Sequence, residues 1–104
     1  MSAATNKKQR LKIMGKIKDK LHFKFFAPKA NEELTCMVRV EDVDVDEPYC
    51  WRCHNVLVDN LNYEVSVWGD IDADNHPTDE NLSVQVDYID GRIDYIKDIE
   101  IIKS

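Results

Sequence analysis

Cysteine and histidine hold soft metals and carry thiol chemistry, and one stretch gathers them: Cys50-Trp51-Arg52-Cys53-His54. Cys-x-x-Cys-His is the pattern of covalent haem attachment and half of a zinc knuckle. Haem attachment calls for an exported and usually helical domain, and no signal peptide or helical period accompanies these residues. Structural zinc needs four ligands in a tetrahedron, and the available set is Cys50, Cys53, His54 and the more distant Cys36. Residues three apart on a regular strand point to opposite faces, so Cys50 and Cys53 converge only if the chain turns between them. Neither Gly nor Pro stands there to favour a turn. A redox dithiol needs a depressed thiolate pKa, usually at a helix N-terminus. The favoured reading is a β-strand whose cysteines act as small hydrophobes, with Trp51, Cys53 and Leu57 on one face and no cofactor.

Oxygen ligands gather in Asp70–Asn81, where Asp70, Asp72 and Asp74 occupy positions 1, 3 and 5 of a calcium loop. The match then fades. Position 6 is Asn75 in place of Gly, and position 12 is Asn81, with Glu80 one residue early. The flanks read as strands, so an EF-hand is disfavoured against a solvated acidic turn.

A third constellation is basic. Lys12, Lys16, Lys18, Lys20 and Lys24 fall on one face of a period-two pattern, preceded by Lys7, Lys8 and Arg10. Phosphate contact is the chemistry such a face offers. Base stacking is not, because Phe23 and Phe25 fall on the opposite face. Catalysis has no such pattern: the chain holds only three glycines and no phosphate loop, and Ser2, Ser66, Ser83 and Ser104 lie in no nucleophile elbow. A non-enzymatic protein is expected.

The elements that must position these residues read as strands. From Leu11 to Phe25 the odd positions are mostly apolar and the even ones mostly basic, which is strand alternation over roughly 10–18 and 20–27, with a helix over 5–18 as the alternative. Leu34, Cys36, Val38 and Val40 continue it. The phase slips at Glu41-Asp42, as a β-bulge would make it, and Val43 and Val45 follow. Pro48 ends that strand or marks an edge. Asp59–Asn62 is turn chemistry. Tyr63, Val65 and Val67 alternate, and so do Leu82, Val84, Val86 and Tyr88. Asp90-Gly91 predicts a type I′ hairpin, with Ile93, Tyr95, Ile99 and Ile101 as the returning apolar face. About seven strands without a long helix predict an all-β antiparallel sandwich or small barrel, a single β domain over 9–104 behind a flexible basic tail at 1–8.

Charge then ranks the functions. Residues 1–30 carry nine Lys/Arg and one acid (+8), and residues 31–104 carry five Lys/Arg and nineteen acids (−14), which sums to −6. Three cysteines exclude a fully paired disulfide framework and favour a reducing, cytoplasmic compartment, and no apolar run is long enough to cross a membrane. Glu41, Asp42, Asp44, Asp46 and Glu47, with Asp70, Asp72 and Asp74, form a dense anionic set. The leading expectation is a small binding or inhibitory module, of the size of phage-encoded or regulatory adaptors, that engages a partner protein through this acidic surface. The alternatives are a phosphate-contacting nucleic-acid binder using the lysine face and a domain stabilised by zinc or calcium.

Overall fold

In the computed structural model the described residues are 16–60 and 62–102. The expected tail at 1–8, Lys12 and most of the strand expected near 10–18 lie outside them. The fold is all-β and antiparallel, as expected, and of the two expected architectures it is the sandwich, with nine strands among the described residues, against about seven expected, in two antiparallel sheets. The strands are β1 (Lys20–Ala27), β2 (Glu32–Arg39), β3 (Val43–Glu47), β4 (Cys50–Cys53), β5 (Leu57–Val58), β6 (Tyr63–Asp70), β7 (Ser83–Tyr88), β8 (Ile93–Ile96) and β9 (Glu100–Ile101). A four-stranded sheet runs β5-β2-β1-β9 and a five-stranded sheet runs β3-β4-β6-β7-β8. No helix among the described residues is long and apolar enough to cross a membrane.

The pleat explains the core. On β1 it turns Leu21, Phe23, Phe25 and Ala27 inward, and on β2 Leu34, Cys36 and Val38. Pairing sets Phe23 against Cys36 and Leu21 against Val38, so both strands put their apolar residues on the same side. The facing sheet contributes Trp51, Cys53, Val65, Val67, Val84, Val86 and Ile96. Each such side chain is worth about 1.5–3 kcal/mol when fully buried, so agreement between the two inner faces outweighs any single turn.

Four details correct the sequence reading. The phase slip at Glu41-Asp42 is not a bulge: Val40–Asp42 is a 3-10 turn that carries the chain from one sheet to the other. The bulge lies between Val45 and Glu47, on an edge strand. Leu57 does not share a face with Trp51 and Cys53, because Asn55 and Val56 carry the chain to the four-stranded sheet, where Leu57 is exposed. On β8 the phase is inverted. Asp94 and Ile96 face in, while Ile93 and Tyr95 face out.

The Asp90-Gly91 connection is a hairpin, as expected, but its turn is not type I′. Only Gly91 has positive φ, at 87°. Gly91 N–H donates to Tyr88 O at 3.0 Å and Tyr88 N–H donates to Arg92 O at 3.0 Å. That pattern is a three-residue loop, a type I turn closed by a glycine bulge. A Cβ on Gly91 would meet nothing within 4 Å, so backbone strain alone opposes substitution. Gly91→Val is expected to cost about 1 kcal/mol or more, read as a lower urea midpoint at unchanged m-value. Gly91→Asn, which tolerates the left-handed region, should recover most of the loss. Equal midpoints for the wild type and the valine variant would contradict this geometry.

Candidate functional site

The same pleat that buries Trp51 and Cys53 turns Cys50 and Arg52 outward. Register aligns Asp44 with Arg52 and Arg52 with Trp68 across β3, β4 and β6, and Gln85 with Tyr95 across β7 and β8. The outer face of the five-stranded sheet therefore carries a band of large side chains. The Arg52 guanidinium lies 6.0 Å from the centroid of the Trp68 ring, a cation–π distance. Its Nη1 is 4.0 Å from an Asp46 carboxylate oxygen, and its Nε is buried without a hydrogen-bond partner among the described residues. A groove of about 270 Å³ crosses the strands here, floored by Arg52, Trp68 and Gln85. Asp46 and Glu47 stand at one end and Tyr95, 69% exposed, at the other.

Part of the acidic set is gathered at this groove. Asp44, Asp46 and Glu47 are exposed on edge strand β3, and Asp70 pairs in register with Cys50 at the same end of the sheet. Glu41 and Asp42 sit apart, in the 3-10 turn. Asp72 and Asp74 lie beyond the end of β6, where Ile71 and Pro77 bridge to close a tight excursion.

That excursion is the calcium-like segment, and within it Asp70 and Asp72 already have protein partners. Asp70 Oδ2 accepts from Asn81 Nδ2 at 2.6 Å, so the first and last positions of the motif bond to each other. Asp72, Asp74 and His76 form a separate group whose ligand atoms lie within 4.8 Å of one another. One Asp72 oxygen accepts the backbone N–H groups of Asp74 and His76, each at 2.9 Å. The other is 3.2 Å from Lys16 Nζ. The His76 backbone donor, and then Lys16, hold the Asp72 carboxyl below its usual range against the opposing effect of burial. Lys16 thus supplies the positive charge that an ion would bring.

The thiols stay apart from this chemistry. Cys50 is half-buried on the outer face of β4, and Cys53 is buried on the inner one. Cys36 lies in the core on β2, and His54 is exposed beyond the end of β4. Burial and the nearby Asp59 push the Cys36 thiol up to about 12. Burial also raises Cys50 and Cys53, with Glu47 adding to the effect at Cys50. These are protonated, weakly nucleophilic thiols at neutral pH. The lysine set is divided as well. Lys16 pairs with Asp72 and Lys24 Nζ lies 3.4 Å from Glu100, while Lys18 and Lys20 remain exposed and Lys20 faces Arg39 across the strands.

Two groups escaped the sequence reading. Arg52 and Trp68 were legible in principle, since each occupies the outward phase beside a run of inward apolar residues. Buried Asp94 was not, because Ile93 and Tyr95 suggested the opposite phase. Asp94 accepts the Tyr88 hydroxyl at 2.5 Å and the Lys29 backbone N–H at 3.1 Å, and lies 3.3 Å from Lys29 Nζ. Burial pushes its carboxyl up, but the hydrogen bonds from Tyr88 and Lys29 and the Lys29 charge outweigh it and hold the carboxyl low. The chain matches no known protein family, no curated protein and no solved structure.

Two expectations follow from these contacts. A carboxylate held low adds stability above its unfolded value, near 3.8, and loses it as pH falls through the lower folded one. Acid titration should therefore destabilise the wild type below that pH. Asp94→Asn should be less stable at neutral pH and show a shallower acid loss. Parallel pH curves for the two proteins would contradict the assignment. Separately, millimolar calcium or excess EDTA should leave the thermal midpoint unchanged, since Lys16 already neutralises Asp72; a rise with calcium would mean that the ion displaces it.

Proposed function

We propose that the protein is a cytoplasmic, non-enzymatic binding module whose groove on the five-stranded sheet receives a basic segment of a partner protein. The observation that carries this reading is the composition of the groove. Arginine, tryptophan and tyrosine dominate the binding energy of protein interfaces, and Arg52, Trp68 and Tyr95 meet here. Asp46 and Glu47 close one end, and the surrounding strands add Asp44 and Asp70. A cationic side chain gains from both features: a carboxylate at one end, and at the other the exposed ring of Tyr95, which is not covered as Trp68 is by Arg52. Inhibition of the partner is one outcome of such binding.

The lysine face supports nucleic-acid binding less well, because Lys16 and Lys24 are each paired with an acid. The thiols, raised and dispersed, favour neither a nucleophile nor a zinc site.

A fluorescently labelled lysine- and arginine-rich synthetic peptide, with binding and dissociation followed by its anisotropy, tests the proposal. Reversing Asp46 and Glu47 to Lys together should weaken binding by about tenfold, mostly through the association rate, and added salt should shrink the difference. Trp68→Ala should cost about 1–2 kcal/mol through the dissociation rate. Reversing Lys18 and Lys20 should change little. A duplex DNA that binds more tightly than the peptide and depends on Lys18 and Lys20 would overturn the ranking.

A further inference from the structure

The groove on the five-stranded sheet suits a cationic segment, and this chain carries one of its own. Residues 1–15 hold Lys7, Lys8, Arg10 and Lys12 and no acid, a charge of +4, so residues 16–104 carry −10 of the total −6. Lys8, Arg10 and Lys12 are spaced by two, and an extended backbone presents such residues on one side. The groove offers the matching charge. Asp44, Asp46, Glu47 and Asp70 gather at its acidic end, and among the described residues only Asp46 has a cation within 4.0 Å, Arg52.

The point where the described chain begins brings this segment close. Lys16 bridges to Thr78, and its ammonium lies 3.2 Å from Asp72. Asp72 follows the end of β6, whose last residue, Asp70, pairs with Cys50. Cys50, Asp46 and Glu47 line that same end of the groove. Lys16 is thus tied to the acidic end of the sheet. An extended chain advances about 3.3 Å per residue, so Arg10 reaches roughly 20 Å from Lys16 and Lys8 roughly 26 Å. The groove crosses from β3 to β8, and neighbouring strands are about 4.8 Å apart, so its length is roughly 19 Å. Reach and length match.

We propose, on the reading of this groove as a site for basic segments, that residues 7–12 lie across it in the same molecule and that a partner's segment binds by displacing them. Arg10 and Lys12 meet Asp46 and Glu47, and Lys8 approaches the exposed ring of Tyr95. The contact need not be strong, because a short tether holds the segment at an effective concentration on the order of millimolar. An intrinsic affinity of about 0.3 mM then leaves roughly a quarter of the grooves open, and a competing peptide binds about fourfold more weakly than to an open groove. The segment acts as a built-in competitor that only a better-matched sequence displaces.

Carbodiimide coupling, which joins an amine to a carboxylate without a spacer, reads the contact in the intact chain. Mass spectrometry should find Lys7, Lys8 or Lys12 joined to Asp46 or Glu47, with a yield unchanged by dilution, as a contact within one molecule requires. The labelled basic peptide supplies the second readout. Lys8→Gln combined with Arg10→Gln should tighten its binding about threefold, because the groove is freed. Lys18→Gln combined with Lys20→Gln removes the same charge from two exposed positions and should leave the affinity nearly unchanged, which separates occupancy of the groove from net charge. Cross-links that vanish on dilution, or none to Asp46 or Glu47, overturn the proposal, and so does an equal gain from both pairs of substitutions. If the peptide binds no variant while the cross-links form, the partner reading fails and the contact within the chain stands.

Discussion

The buried indole of Trp51 is the contact on which the rest of the structure turns. Its ring is fully buried and its Nε1–H donates to the Thr78 carbonyl at 2.7 Å. An indole N–H without a partner would be costly in the core, so the bond obliges the 71–81 excursion to fold back onto the sheet. Thr78 in turn donates its N–H and hydroxyl to the Asp70 carbonyl, and Lys16 bridges to it. The close fit extends to Gly69, where a Cβ would stand 2.9 Å from Trp51 Nε1 and 3.1 Å from the Glu80 carbonyl. A glycine is needed there for space rather than for conformation.

The same residue decides the chemistry of the opposite face. Side chains alternate along β4, so seating Trp51 inward commits Arg52 to the outside, over Trp68. The groove is therefore the reverse side of the core contact. The inner face is fixed by packing and the outer by what the pleat leaves over.

The sheet faces were largely legible because the chain alternates cleanly wherever one face is buried. Leu21, Phe23 and Phe25, or Val65 and Val67, admit one phase only. What was hidden depended on where the chain goes next. Val40–Asp42 and a bulge shift the hydrophobic phase alike, but the first changes sheet and the second does not. Leu57 looks like a continuation of Trp51 and Cys53 until two residues lift it into the other layer. At β8, Ile93 and Tyr95 outrank Asp94 in hydrophobicity, and only the tertiary partners Tyr88 and Lys29 make an inward carboxylate affordable. The groove needed knowledge of register, since Asp46, Arg52, Trp68, Gln85 and Tyr95 come from five strands scattered over half the chain.

The 3-10 turn at Val40–Asp42 is one of four points among the described residues where the chain passes between layers, the others lying before β5, before β6 and before β9. Neither sheet is thus encoded by a contiguous stretch. β5 and β9 complete a layer whose other two strands precede both β3 and β4. Local hairpins can form early, but the layers close only after distant segments meet, which places the barrier to folding late and at the cost of long loop closures. Such interleaving leaves no half of the domain able to stand alone. Its loss of structure should be all-or-none, and a single cut in an inter-layer crossing would uncouple both sheets at once.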